Sequence, residues 1–199
     1  MPLRCRPSAL PGHVCRRTRL SGMTDYSFRL ATARDLPVLT KVYNAAVVAG
    51  GSSADTAPVD HEARLRWLEA HRDPYAVFIV EAREPGSPSR DIGFAALSVY
   101  YDRPGYDGVC DLAYYLAPEW RSRGAGRATL RMLLNECRDR GMRMAVAIIF
   151  ADNDASTALV RRFGFTRFGL MPKAAYDAKG ILHDMSYWYV ALGDAPIRK

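Results

Sequence analysis

The fold is decided by residues Leu112 to Arg127, which read LAYYLAPEWRSRGAGR. The first part predicts an apolar strand, Pro118 begins a turn, and an amphipathic helix follows from about Gly124 to Arg140. Two glycines in G-x-G spacing let the backbone approach a ligand, and the N–H groups at a helix start are free to bind an anion. Positive charge around the turn comes from Arg121, Arg123 and Arg127. This pattern predicts an anion site, although a plain tight turn has the same spacing.

Two well-known phosphate-binding motifs are absent from this turn. A dinucleotide-binding fingerprint needs a third glycine where Thr129 stands, and a nucleoside-triphosphate loop needs Gly-Lys followed by Ser or Thr. The sequence therefore supports neither a Rossmann cofactor nor nucleotide hydrolysis.

Hydrophobic periodicity and Gly/Pro breaks on either side of the turn give the element order βααβββαβαββ. The strands are predicted at about 26–31, 76–81, 92–101, 109–117, 144–150, 165–170 and 183–192. The helices are predicted from about residue 32 to the break at Gly50, and at 60–71, 124–140 and 154–163. This order predicts a single α/β domain, with a mixed, mostly antiparallel sheet of six to seven strands and about four helices on both faces.

The net charge of the chain is unevenly distributed. The 199 residues contain 28 Lys and Arg against 21 Asp and Glu, a formal charge of +7, but five arginines precede the first acid, Asp25. Prolines and the lack of periodicity predict a disordered basic tail at 1–22, followed by a domain at 23–199 with its core at about 26–192. The tail lacks the apolar segment of a signal peptide, its prolines oppose the helix of a transit peptide, and Met23 is an alternative working start.

Several classes of protein are excluded by composition. The longest apolar run, 144–151, is too short for the roughly 20 residues that cross a bilayer. Four cysteines, at positions 5, 15, 110 and 137, show no spacing of a disulfide scaffold or a zinc site. We expect a cytoplasmic protein with reduced thiols, no metal and no membrane partner. Without its tail the chain is nearly neutral, which also argues against a nucleic-acid partner.

Residues 121–126, RSRGAG, are similar to the R/Q-x-x-G-x-G/A motif of the GCN5-related N-acetyltransferases. Residues 153–165, with Asn first and Phe-Gly-Phe last, resemble the N-x-x-A…G-F segment of that family. Two further segments resemble the phosphinothricin and methionine-sulfoximine acetyltransferase branch of that family. The N-terminal one is 28–37 with Tyr43-Asn44, and the C-terminal one is Gly180-x-x-His183-Asp184-x-x-x-Trp188. The resemblance covers about residues 26–192.

The resemblance implies acetyl-CoA as cosubstrate and the primary amine of a small amino-acid-like molecule as acceptor. It implies that the backbone of Tyr114, Tyr115 and Leu116 pairs with pantetheine like an added strand. It also implies a β-bulge that splays the fourth and fifth predicted strands, with an N–H near Leu116 facing the thioester carbonyl. Asn153 is expected to bind the coenzyme, to cap the following helix, or both. The pyrophosphate-binding residues are expected to be Arg121, Ser122, Arg123, Gly124, Ala125, Gly126 and Arg127.

The catalytic expectations also rest on the resemblance. Asp111 stands where the branch has a glutamate, so it is the candidate general base, or else it satisfies a backbone donor at a strand start. His183 matches a branch histidine and either orients or deprotonates the substrate, or is structural. The tyrosine that often protonates the leaving thiolate is replaced by Val160, so water, Tyr176 or Tyr187 substitutes, or the thiolate leaves unprotonated.

Residues 50–56 match the acceptor-side loop of the family and are expected to close over substrate. Their Gly/Ser/Ala composition departs from the phosphinothricin branch, so the acceptor differs or is shared only in class. Two alternatives remain open at this point: acetylation of a protein N-terminus or lysine, and a catalytically silent acyl-CoA-binding domain. The resemblance also implies a homodimer.

Overall fold

The computed structural model describes residues 18–19 and 24–193, and its elements follow the predicted order except for one additional two-residue strand at Thr18–Arg19. Four helices are present in this part of the chain: α1 Leu36–Ala49, α2 His61–Ala70, α3 Ala125–Asp139 and α4 Asp154–Arg162. The strands are β1 Thr18–Arg19, β2 Asp25–Leu30, β3 Ala76–Arg83, β4 Arg90–Val99, β5 Val109–Leu116, β6 Met144–Phe150, β7 Thr166–Tyr176 and β8 Leu182–Ala191. The predicted α/β class is confirmed. None of the helices in these residues is long and apolar enough to cross a membrane.

The predicted tail lies mostly outside the described residues. The exception is β1, whose Thr18 and Arg19 pair with Tyr26 and Asp25 at the edge of the sheet. The boundary of the domain near residue 23 stays a prediction.

The sheet opens between β5 and β6. Its strand order is β1-β2-β3-β4-β5-β6-β8-β7, and every neighbouring pair is antiparallel except β5 and β6. These two pair only from Val109↔Met144 to Asp111↔Val146. On its other side, β5 keeps one register with β4 from Cys110↔Val99 to Leu116↔Gly93. The opening therefore arises because β5 diverges from β6, with no bulge in the β4–β5 register.

Helix α3 returns the chain from β5 to β6 and has well-defined ends. It begins after Gly124, which has φ 90° and which a side chain would strain. At its other end Gly141 has φ 73°, the Gly141 N–H donates to Arg138 O, and the Met142 N–H donates to Cys137 O. These two hydrogen bonds form a Schellman cap, and they confirm the glycine predicted at the end of the helix.

The two faces of the sheet carry separate cores. The larger lies under α3 and α4 and includes Phe78, Leu130 and Leu133, and the smaller lies under α1 and α2 and includes Leu39 and Phe94. Side chains of β5 alternate between these faces. Cys110, Leu112 and Leu116 join the larger core with Tyr114 packed against it, whereas Asp111, Ala113 and Tyr115 line a cavity beside α1 and α2.

Candidate active site

The edge of β5 that faces the opening carries unpaired backbone groups. Ala117 N–H donates to Ile92 O across the β4–β5 ladder, and a Cβ on Gly93 would lie 2.2 Å from Tyr115 O, so that carbonyl also points to β4. Since these directions alternate along an antiparallel strand, the N–H and C=O groups of Tyr114 and Leu116 point to the side that β6 has left. Tyr115, predicted to do the same, directs its backbone groups to β4.

The turn after β5 ends in a concave group of N–H donors. Ser122 and Gly124 both have positive φ, at 57° and 90°. The first N–H groups of α3, at 125–127, have no partner within the helix, and no side chain caps them because the N-cap is Gly124. The helix dipole adds positive potential at this point. The site can hold a phosphate or pyrophosphate at the mouth of the opening.

The three arginines around the turn have different surroundings. The Arg123 guanidinium pairs with Glu84 at 2.8 Å and lies 4.8 Å from the Trp120 ring, and its backbone carbonyl accepts a hydrogen bond from the Tyr26 hydroxyl. Arg123 thus fixes the turn to the neighbouring strands. Within the described residues Arg121 and Arg127 form no ion pair, so their charges remain available to an anion.

Asp111 is the candidate base, and its carboxyl group is buried. Burial raises its pKa to about 6, although a hydrogen bond from the Leu112 N–H acts in the opposite direction. Its Oδ1 has no hydrogen-bond partner among the described residues. A carboxylate with this pKa is mostly ionised at pH 7 and remains a useful proton acceptor.

The cavity beside Asp111 has a volume of about 420 Å³, and four of the eleven residues that line it are aromatic. Tyr43 packs edge-on against Tyr115 at 4.9 Å, and the buried Arg64 guanidinium lies 3.9 Å above the Tyr43 ring. The full lining is Tyr43, Asp55, Val59, Ala63, Arg64, Trp67, Phe94, Ser98, Asp111, Ala113 and Tyr115.

His183 lies elsewhere, between two carboxylates. Its Nδ1 is 2.8 Å from Asp152 Oδ2, its Nε2 is 3.3 Å from Asp177 Oδ2, and its ring stacks on Phe150 at 4.3 Å. Burial opposes its charge, but the hydrogen bonds and charges of Asp177 and Asp152 prevail and raise the pKa of His183 above its ordinary value. His183 does not line the cavity that holds Asp111, so the geometry favours the structural role over the catalytic one.

The first part of the loop between α1 and α2 is hydrogen-bonded to Asp177, which also contacts His183, and to Asn153. Asp177 Oδ2 accepts from the Gly51 N–H at 3.0 Å, and Asn153 Nδ2 donates to Gly51 O at 3.2 Å. Asn153 is also the N-cap of α4, since its Oδ1 accepts from the Ser156 N–H. Both ends of the Asn153 amide are thus engaged within the protein, and its contact with coenzyme stays a prediction.

The second part of the same loop lies against the cavity. The Tyr43 hydroxyl is 3.0 Å from Ser53 Oγ and donates to Asp55 at 2.7 Å, and Ser53 is buried. The loop is therefore held beside the cavity that Asp111 lines.

The positions considered for thiolate protonation are dispersed. Val160 is buried in the larger core, Tyr176 is exposed on β7, and the Tyr187 hydroxyl contacts the Met171 sulfur at 3.9 Å. None of the three lines the cavity. The side chain of Tyr114, by contrast, approaches the start of α3, where its hydroxyl lies 3.5 Å from the position of a Cβ on Gly126.

Sequence reasoning missed Arg64 as a site residue. The signal was its position three and four residues before Trp67 and Leu68, which places all three on one face of the helix. An arginine on an apolar helix face is easily taken for a solvated residue.

An open strand edge that leads to a helix-start anion site, with a buried carboxylate on the same strand, defines a class of protein that binds an extended phosphate-bearing ligand beside a second, smaller one. The model of the acetyltransferase (GNAT) domain matches residues 27–166. The chain belongs to this family of acetyltransferases, as its resemblance implied.

Named relatives and solved structures agree with this assignment. The chain is 31% identical over 150 residues to an L-methionine sulfoximine/L-methionine sulfone acetyltransferase of Pseudomonas paraeruginosa, covering 74% of this chain and 84% of the relative. It is 30% identical over 148 residues to the L-amino acid N-acyltransferase MnaT of Escherichia coli, covering 74% and 83%. A phosphinothricin acetyltransferase from Sinorhizobium meliloti in complex with acetyl-CoA superposes with a TM-score of 0.77 at 28% identity, covering 87% of this chain and 92% of that chain.

Proposed function

We propose that this acetyltransferase moves the acetyl group of acetyl-CoA to the primary amine of a small amino-acid-like molecule. The observation that carries the proposal is the double role of β5. One edge of this strand offers open backbone groups to a donor, while Asp111 on the same strand faces a cavity that can receive the acceptor. The relatives whose names specify amino acids and their analogues support the acceptor class.

The donor fits the opening between β5 and β6. The backbone groups of Tyr114 and Leu116 bind the amides of the pantetheine arm as a neighbouring strand would. The N–H groups at 125–127 bind the pyrophosphate, and the side chains of Arg121 and Arg127 add charge. With the donor bound in this way, its thioester would lie at the inner end of the opening, near Asp111.

The chemical step requires a neutral amine. The Asp111 carboxylate takes a proton from the substrate ammonium, directly or through a water, and the freed nitrogen attacks the thioester carbonyl. The Leu116 N–H, directed into the opening, stabilises the negative charge that develops on the carbonyl oxygen. Collapse of the tetrahedral intermediate breaks the carbon–sulfur bond, and the attacking nitrogen gives up its second proton to water. The thiolate takes its proton from water because Val160 supplies no hydroxyl.

The test is a thiol-release assay with the full chain, acetyl-CoA, a panel of free amino acids, and peptides with a free N-terminus or a lysine. The expected result is turnover on one or more free amino acids, and a large loss of rate in Asp111→Asn. Turnover confined to peptides would contradict the acceptor class. Tight coenzyme A binding without turnover on any amine would instead identify a silent acyl-CoA-binding domain. Cytoplasmic location and a homodimer stay predictions, the latter for sedimentation analysis.

A further inference from the structure

Both backbone polar groups of Gly51, in the loop between α1 and α2, are hydrogen-bonded to side chains from distant parts of the chain. The Gly51 N–H donates to Asp177 Oδ2 at 3.0 Å, and the Gly51 carbonyl accepts from Asn153 Nδ2 at 3.2 Å. Asp177 directly follows β7, and Asn153 is the N-cap of α4. We call Gly51, Asp177 and Asn153 the Gly51 clamp. Because two separate segments hold one residue, side chains outside the loop determine where the loop lies.

The glycines at the end of α1 permit this close approach. Gly50 and Gly51 both have φ 71°, a conformation that a side chain would strain. A Cβ on Gly50 would also lie 2.5 Å from Asp177 Oδ2, too close for any side chain at this position. The sequence at 50–51 is therefore adapted to the clamp as well as to ending the helix.

The Asp177 carboxylate is fixed on its other sides by the protein. Its side chain is 1% exposed, and its Oδ1 accepts hydrogen bonds from the N–H groups of Lys179 and Ile181 at 2.9 and 3.0 Å. The Nε2 of His183 lies 3.3 Å from Asp177 Oδ2 and supplies a counter-charge when the ring is protonated. Burial opposes ionisation, but these contacts prevail and lower the pKa of Asp177 to about 2. The Gly51 N–H thus meets a charged, immobile acceptor, which gives a strong hydrogen bond.

The clamp connects the two sides of the opening in the sheet. Helix α1 packs on β4 and β5, whereas Asn153 and Asp177 follow β6 and β7. Only two residues beyond Gly51, the buried Ser53 lies with its Oγ 3.0 Å from the hydroxyl of Tyr43, a residue that lines the cavity. A displacement at the clamp would therefore be transmitted through a short segment to the cavity wall.

We propose that Asp177 and Asn153 are positioning residues for acetyl transfer: by holding Gly51 they keep the loop at 51–55 against the cavity and so shape its acceptor side. The inference rests on the proposed function, which assigns this cavity to the acceptor. Neither residue lines the cavity, so each acts through the loop. Without the clamp the loop samples positions away from the cavity, and the acceptor binds only the fraction that is in place, which raises its KM.

Two isosteric substitutions each release one side of the clamp. Asp177→Asn keeps one carbonyl oxygen for its own turn but replaces the acceptor of the Gly51 N–H by an amide donor. Asn153→Asp keeps the oxygen that caps α4 but loses the donor to the Gly51 carbonyl. Asp184→Asn is the matched control, because Asp184 accepts a hydrogen bond from the Lys173 N–H within the same β7–β8 hairpin and not from the loop.

Hydrogen–deuterium exchange of the full-length protein measures the clamp without any substrate. Exchange at residues 50–56 should be at least about tenfold faster than wild type in Asp177→Asn and at least about fivefold faster in Asn153→Asp, because each variant loses a buried hydrogen bond of the loop. Segments in α4 and β8 should change less than about twofold. In the thiol-release assay, Asp177→Asn should raise KM at least about fivefold for the amine that wild type uses best, and change kcat less than about twofold. Asp184→Asn should match wild type in both measurements.

The outcomes separate this inference from its alternatives. Unchanged exchange at 50–56 in both variants would mean that the contact at Ser53 alone holds the loop, and the inference would be wrong. Equal acceleration in the loop, α4 and β8 would show a general loss of stability and would also overturn it, as would faster loop exchange with an unchanged KM. If wild type acetylates no amine, the proposed function fails, while the exchange measurement still decides whether the clamp holds the loop.

Discussion

Replacing Asp111 by asparagine should make the protein more stable and nearly inactive. Burial raises the pKa of Asp111 to about 6 from an ordinary value of 3.8. Between these two pH values the folded state binds more protons than the unfolded state, so the stability contributed by this group falls as pH rises through that interval. Above pH 6 the penalty is complete, and the difference between the two pKa values corresponds to about 3 kcal/mol.

Asparagine keeps the shape and the acceptor for the Leu112 N–H but never ionises. Asp111→Asn should therefore raise the free energy of unfolding by up to about 3 kcal/mol at pH 8 and change it little at pH 4. For a domain of this size that is roughly 6–12 °C in Tm at pH 8. Urea unfolding at both pH values measures the effect, and Asp111→Glu, which retains a carboxyl group, is the control.

Activity should move in the opposite direction. Loss of the base should lower kcat by about 10²–10⁴. In the wild-type protein kcat/KM should fall about tenfold from its plateau by pH 5, as expected for a single group titrating near pH 6, and Asp111→Glu should retain an acid limb. An Asp111→Asn variant that is no more stable than wild type at pH 8, or that keeps the same pH profile, would refute the reasoning.

Three other positions test the remaining parts of the site. Gly124→Val should weaken coenzyme A binding at least about tenfold in calorimetry, since it strains a backbone at positive φ and blocks the anion site; Gly141→Val, at the other end of α3, controls for strain, and equal affinities would contradict the assignment. His183→Gln should destabilise the protein more at pH 5.5 than at pH 8.5 in urea unfolding. A pKa raised on folding gives stability that is complete below the ordinary histidine pKa and is lost as pH rises through the folded value; a pH-independent loss argues against a charged histidine. Arg123→Ala should reduce coenzyme affinity less than Arg121→Ala, because its guanidinium is already in an ion pair, and the reverse order would show that it exchanges this partner for phosphate.

The order of elements could be predicted because it depends on local sequence patterns, namely hydrophobic periodicity and the positions of glycine and proline. Helix α3 illustrates this, since its apolar period and the glycines at 124 and 141 determine where it begins and ends. The anion-binding turn was predictable for the same reason: a strand, two glycines and a helix are adjacent in sequence. Local propensity and global fold agree at these positions.

Features that depend on contacts between distant segments were not predictable. The Arg123–Glu84 pair joins residues 39 positions apart, and the contact between His183 and Asp152 spans 31. Periodicity records which face of an element is apolar but not which side chain of another element meets it. For the same reason the sequence did not single out Arg64, which α2 places in the wall of the cavity.

The alternation of β5 explains why donor and acceptor meet at this strand. Even-numbered residues such as Tyr114 and Leu116 direct backbone groups into the opening and side chains toward the α3 side, whereas Asp111 and Tyr115 direct backbone groups to β4 and side chains into the cavity. A slip of one residue would exchange both sets, placing the carboxylate in the apolar core and the open edge out of phase with the turn. In the observed register β4 approaches so closely at Gly93 that a Cβ would lie 2.2 Å from Tyr115 O, so this position requires glycine. The register of this strand therefore sets both the edge that we propose for coenzyme binding and the face on which Asp111 lies.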